Sequence, residues 1–385
     1  MDRLIIVFIL LSLVSLTADV AYEGGRSISG QFLEHLRAPA IAAGLLALGE
    51  FLGYALRLPA SLVVSMRRSS KLLWSIIILG YALVVAIPFL AFVSNWYIAL
   101  LLYLIERIGK GLRSPARDVL IADITDKAIG RGKGFGIHEL LDQVGALLGP
   151  LMVSYALTYG KGYSYAYVSL LPIALIAVIL ITISSFLYPN IGFAKNGSIR
   201  SLDIANNRSL KTYMIFTALL SFGLIHWGIA SYHLKYTHVV PEGYIPALYA
   251  IAMIVDALVA LPLGIAYDRY GVSILVLIPL ASMFIAPLIL ISRNIILLVI
   301  ASALYGIVLC SYESVLRAAV ADIASSVNER ALGFGWLGFV WGTAWAIGNI
   351  IGGALYDFLG PQVLCILYPV SSFLSLIYFI KHYLQ

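Results

Sequence analysis

Apolar residues along this chain gather into twelve runs, at roughly 4–23, 36–63, 72–93, 96–116, 134–157, 164–187, 212–234, 245–266, 272–292, 295–316, 333–356 and 363–381. Each is near or above the ~20 residues an α-helix needs to cross a bilayer. The pattern predicts an all-α membrane protein of twelve transmembrane helices. The first run follows Met1-Asp2-Arg3 and ends in the small-residue stretch Leu16-Thr17-Ala18, so it resembles a secretory signal. It is nevertheless expected to stay on the chain, because the sequence is duplicated.

Ala122-Asp123-Ile124, Arg131 and Gly134-Phe135-Gly136 recur as Ala321-Asp322-Ile323, Arg330 and Gly333-Phe334-Gly335, each displaced by 199 positions. Gly149 falls on Gly348 at the same offset. A repeat of this length is a domain duplication, since a solenoid repeats every 20–50 residues or so. The expected architecture is two pseudo-symmetric six-helix bundles, 1–188 and 212–385, joined by a cytoplasmic linker at 189–211. The seventh run begins near Lys211, whose counterpart lies close to the start of the chain, so cleaving the first run would leave the first bundle one helix short.

Composition narrows the class. With 61% hydrophobic and 11% charged residues and a mean hydropathy of +0.97, the chain is unlike a soluble domain, in which about a quarter of residues are charged. Cys310 and Cys365 lie in apolar runs outside any metal or redox spacing, so inert thiols are expected. No zinc, phosphate-loop or hydrolase motif is present, and no catalytic residue, metal or cofactor is expected. A membrane-embedded enzyme would need a reactive cluster, and a receptor would need a signalling domain larger than the longest loop. The net charge of +6 follows from topology, not from nucleic-acid binding. With the N-terminus inside, the inner loops and termini hold 18 Lys and Arg and the outer regions 5. The positive-inside rule then places both termini in the cytoplasm of a multi-pass plasma-membrane protein.

Runs 3, 6, 9 and 12 have no charged residue in their interiors, whereas runs 1, 2, 4 and 5, and to a lesser degree 8 and 10, do. An ionisable side chain facing lipid costs about 2.5–3.5 kcal/mol, so the charged runs turn toward protein or water. Every third helix is thus expected at the lipid-facing periphery.

Three segments carry a family resemblance. They are Gly264-Ile265-Ala266-Tyr267-Asp268-Arg269-Tyr270-Gly271 at the end of run 8, Arg107-Ile108-Gly109-Lys110-Gly111 in run 4, and Gly145-Ala146-Leu147-Leu148-Gly149-Pro150 in run 5. Together with the duplication, they make the chain resemble a major facilitator superfamily transporter over essentially its full length. The resemblance implies that Gly264, Asp268, Arg269 and Gly271 form a cytoplasmic gate element and that Gly145, Gly149 and Pro150 form the motif the family associates with antiporters. The first-half counterpart of the gate departs from the pattern, with Ser65 and Met66 where the family has Asp and Arg.

Asp123 with Arg131, and Asp322 with Arg330, are expected to close the two corresponding inner loops. Gly134, Gly136, Gly333 and Gly335 would allow close helix approach beside them. Arg57 and Arg107 both lie about 15 Å deep at roughly 1.5 Å per residue, and so require carboxylate partners from among Glu50, Glu106 and Asp142. The arrangement is either a static ion-pair network or a proton-coupling site. In the second reading, a carboxylate in a dry cavity holds its proton until an arginine approaches and expels it. His138 and Asp142, four residues apart, share a helix face and suit a relay. Asp19 and Glu23 suit an outer proton entrance, and Asp256 is the one central acid of the second half. Trp341 and Trp345 form either a stacking wall or ordinary packing.

The expected protein is a monomeric secondary active transporter working by alternating access, a proton-coupled exporter of a small organic molecule. The alternative is a symporter or facilitator that imports a small metabolite. Its partners are substrate, protons and the lipid bilayer, with no nucleic acid.

Overall fold

The computed structural model describes residues 3–67, 69–128, 130–190, 208–324 and 327–384. The described residues are helical almost throughout, with no strand. The first half supplies α1 (Arg3–Ser27), α2 (Ala40–Ala55, continued by Arg57–Arg67), α3 (Ser70–Ala82, continued to Phe92), α4 (Trp96–Ala128), α5 (Arg131–Thr158) and α6 (Gly162–Leu187). The second supplies α7 (Arg208–Phe222, resumed at Trp227–Tyr236), α8 (Tyr244–Tyr270), α9 (Leu277–Ile291), α10 (Ile295–Glu313, continued by Val315–Ile323), α11 (Val327–Leu359) and α12 (Leu364–Tyr383).

Ten stretches among the described residues are long and apolar enough to cross a membrane. Two physical facts raise that number to the expected twelve. Tyr244–Ile291 is 48 residues, about 70 Å of helix and more than twice a hydrocarbon core, and Gly271 at φ 61° divides it into α8 and α9. The 33-residue α4 is also long enough, but charges interrupt its C-terminal half. Caps set several boundaries. Ser69 accepts from the Leu72 amide ahead of α3, and Asn294 accepts from the Ile296 amide ahead of α10.

By contacts the chain forms two units, one of residues 1–28 and 52–198, the other of residues 29–51 and 199–385. The duplication and the contacts therefore divide the chain differently, because Ser29–Phe51 packs with the second unit. Most of the expected linker at 189–211 lies outside the described residues.

In the first unit α1 and α5 cross closely. A methyl group on Gly145 would lie 2.4 Å from the Leu16 carbonyl oxygen, and one on Gly149 would lie 2.3 Å from that of Val20. Gly145 and Gly149 thus remove side chains where two backbones meet.

In the second unit α7 is broken between Phe222 and Trp227, and α11 repairs the break. Asn349 accepts from the His226 amide at 2.7 Å and donates to the Leu224 carbonyl, which also receives the Trp345 indole N–H. Buried backbone groups freed by a helix break need such partners. Trp341 and Trp345 are fully buried in packing.

Ser29–Phe51 docks on α7 and α11 with almost no intervening side chain. Gly30 meets the Gly228 backbone and Gly44 meets the Asn349 backbone. Tyr232 donates to the Ala38 carbonyl. Asp357 accepts from the Ala40 and Ile41 amides, at 2.7 and 2.9 Å, and so caps the N-terminus of α2. Asp357→Ala is expected to destabilise the protein by about 1–2 kcal/mol, the usual cost of losing an N-cap, read as a lowered melting temperature.

Candidate functional site

The first unit gathers its ionisable residues onto α1, α4 and α5. On α4, residues 106, 110, 113 and 117 recur at spacings of four, three and four, so Glu106, Lys110, Arg113 and Arg117 share one helix face. They form two connected layers.

In the deeper layer Glu106 is 1% exposed and receives two arginines. Arg107 donates from Nε and Nη2 to Oε2 at 2.6 Å, and Arg113 donates from Nη2 to Oε1 at 3.3 Å. Arg113 is itself buried and also donates to the Gly80 carbonyl at 3.0 Å. Tyr22 of α1 faces all three cations. Its ring centroid lies 4.5 Å from Arg107 Cζ, 4.1 Å from Lys110 Nζ and 5.9 Å from Arg113 Cζ, and its hydroxyl accepts from Lys110. Asp19, half-buried one turn before Tyr22, sits in the field of Asp142, Lys110, Glu23 and Arg113.

In the second layer Arg117 lies among three groups. Nε and Nη2 donate to Asp118 Oδ1 at 3.0 and 2.9 Å, Nη1 donates to Ser15 Oγ at 3.0 Å, and Nη1 is 3.6 Å from Asp142 Oδ2. His138 Nε2 is 3.1 Å from Ser15 Oγ and 3.8 Å from Asp142 Oδ1. Tyr81 links the layers, because Arg113 rests 5.0 Å over its ring while its hydroxyl is 3.4 Å from Ser15 Oγ.

The structure thus brings together Asp19, Glu106, Arg107, His138 and Asp142. It adds Lys110, Arg113, Arg117 and Asp118, and the hydroxyls of Ser15, Tyr22 and Tyr81. The charge tally assigns these three cations to an inner loop, although the apolar run to 116 already covers Lys110 and Arg113 and α4 continues to Ala128. Their helical spacing from Glu106 is the signal that points to the site instead.

Other expected residues fall elsewhere. Arg57 gains no carboxylate among the described residues. Its guanidinium lies 5.0 Å over the Tyr54 ring, and its buried Nε has no hydrogen-bond partner. Glu50 is buried on the segment that belongs to the second unit, and Asp256 is half-buried on α8. Glu23 pairs with Arg26 at 3.3 Å and is buried, and a further helix, Ser29–His35, follows shortly after it.

Of the residues expected to form a gate, Asp268 and Arg269 are exposed, with Arg269 over the Tyr270 ring. Asp123 accepts from the Tyr188 hydroxyl and Asp322 from the Tyr267 hydroxyl, each at 2.7 Å. The side chains of their expected partners Arg131 and Arg330, and that of Ser65, lie outside the described residues. Gly134 and Gly333 do admit a neighbouring helix, against Thr125 and Val320, whereas Gly136 and Gly335 face open space.

Comparison with known proteins places this geometry. The sequence profile of the Major Facilitator Superfamily matches residues 5–244 and 214–384. An uncharacterized protein of Mycobacterium tuberculosis is 34% identical over 353 residues, covering 89% of this chain and 85% of its own. An uncharacterized MFS-type transporter of Methanocaldococcus jannaschii is 28% identical over 294 residues, covering 73% and 71%. Among solved structures, a mutant of the nucleoside transporter NupG superposes with a TM-score of 0.79 at 16% identity, over 98% of this chain and 100% of its own. A bacterial homologue of the human lysosomal transporter Spinster superposes with a TM-score of 0.69 at 15% identity, over 97% and 94%.

Proposed function

The chain belongs to the Major Facilitator Superfamily and is a secondary transporter of the membrane, and we propose that it exports a small organic molecule in exchange for protons. The observation that carries this reading is Arg117, held between two carboxylates beside a histidine. A proton on Asp142 removes one competitor, and the guanidinium stays with Asp118. Loss of that proton restores the attraction to Asp142, so proton occupancy and arginine position are coupled. His138, Ser15 and Tyr81 supply a hydrogen-bonding path of side chains beside the acid. Arg113 transmits the change, since it touches both the Tyr81 ring and the Tyr22 layer where substrate would compete for charge.

Alternating access then follows the family pattern. Moving Lys110, Arg113 and Arg117 out of the inner-loop tally reduces 18 to 15 against 5 outside, so the positive-inside rule still supports cytoplasmic termini in the plasma membrane. Proteoliposomes loaded with a pH-sensitive dye test the coupling. Addition of transported compounds should move protons in the opposite direction. Substrate flux with no accompanying proton flux, and no response to an imposed pH gradient, would refute the exchange.

A further inference from the structure

We propose that the transported molecule is a small organic anion whose carboxylate or phosphate is received by Arg57. This rests on the transport reading above and narrows its substrate class.

The first observation is the missing partner. Arg57 stands deep in a membrane helix with a buried Nε that meets no acceptor, and the Tyr54 ring is its one charge-compensating contact among the described residues. A ring face offsets only part of the desolvation of a guanidinium. The planar fork left over matches the two oxygens of a carboxylate or phosphate.

The second observation is position. A methyl group on Gly111 would lie 3.0 Å from the Gly53 carbonyl oxygen and 2.9 Å from Leu56 Cβ, and one on Gly53 would lie 3.7 Å from the Arg107 carbonyl oxygen. Arg57 follows Leu56 directly and lies one turn from Gly53, so its backbone stands beside the Arg107–Gly111 turn of α4.

The third observation is charge. Around that turn Arg107 and Arg113 share Glu106, Lys110 donates to the Tyr22 hydroxyl, and Asp19 lies in the field of Asp142 and Lys110. These charges are answered within the chain, whereas Arg57 meets no carboxylate among the described residues. A guanidinium left so repels a cationic drug and gives an anion its compensating charge.

The proposal has a consequence for energetics. One-for-one exchange of a monovalent anion for a proton moves two positive equivalents inward per turnover, whereas exchange of a monovalent cation moves none. Transport would then respond to an imposed membrane potential as well as to pH.

The deciding experiment is binding to the purified full-length chain without any pH gradient, so that failure of proton coupling cannot mask the result. Melting temperature is followed with benzoate, inorganic phosphate, adenosine and tetraphenylphosphonium, each against sodium chloride at equal ionic strength. Benzoate or phosphate should raise it saturably, and which of them does so separates a carboxylate from a phosphate. Arg57→Gln should abolish the rise, and Arg57→Lys, which keeps the charge but not the fork, should weaken apparent affinity about tenfold. The proposal is overturned if only adenosine or tetraphenylphosphonium stabilises the protein. It is equally overturned if neither anion acts, or if folded Arg57→Gln keeps the full response.

Discussion

Glu106→Ala should lower the stability of the folded protein by about 3–5 kcal/mol, the cost of breaking a buried ion pair from one side. The size follows from the arrangement. One carboxylate, almost fully buried, accepts from Arg107 and from Arg113, and both guanidiniums are buried too. Deleting it removes the carboxylate that two buried guanidiniums share. Glu106→Gln keeps an acceptor but not the charge, and should fall between the parent and the alanine variant. Combining Glu106→Gln with Arg107→Met should recover part of the loss, because the second change removes one of the stranded cations. Chemical denaturation of the purified variants reads all three. A loss below about 1 kcal/mol for the alanine variant would show that solvent reaches this layer.

Asp142→Asn is expected to abolish gradient-driven transport, reducing it by at least about a hundredfold, the lower range for losing a proton-transfer group. The asparagine keeps the volume and one acceptor but cannot change charge. Arg117 therefore loses the alternating attraction and remains with Asp118, to which it already makes two hydrogen bonds. Exchange of substrate between two sides at equal pH should persist. Loss of both activities together would mean that Asp142 serves folding or substrate binding instead. His138→Gln retains a hydrogen-bonding side chain beside Ser15 and should reduce gradient-driven flux less severely.

The parts of this fold that depend on hydropathy are legible in the sequence, and the parts that depend on side-chain direction are only partly so. Twelve helices follow from twelve apolar runs because the bilayer imposes length and polarity on each. The close crossing of α1 and α5 is a different matter. Gly145 and Gly149 stand out as a motif, but a glycine motif does not say which backbone it meets.

On α4, the apolar run stops at 116, twelve residues before the helix does, and its charges from Glu106 onward read as an approach to the membrane surface. A helix that buries an ion network shows the same signal as one that leaves the membrane. His138 and Asp142 come together as expected, since four-residue spacing fixes a shared face locally. A carboxylate partner for Arg57 follows from the rule that a buried charge needs one. That rule is sound as energetics, but it cannot distinguish a partner in the chain from one in the substrate.

Asp357 sits two residues from the C-terminal end of α11, where its own helix dipole disfavours a negative charge, and it is held there by the N-terminal amides of another helix. The two helix ends answer each other: the charge that one pole repels is the charge that the other pole's free amides need. Two charge-assisted hydrogen bonds of about 1.5 kcal/mol each thus tie a segment from the first half of the sequence into the second unit. Asp357 is a splice: it joins chain segments more than 300 residues apart through a charge that neither helix would hold alone.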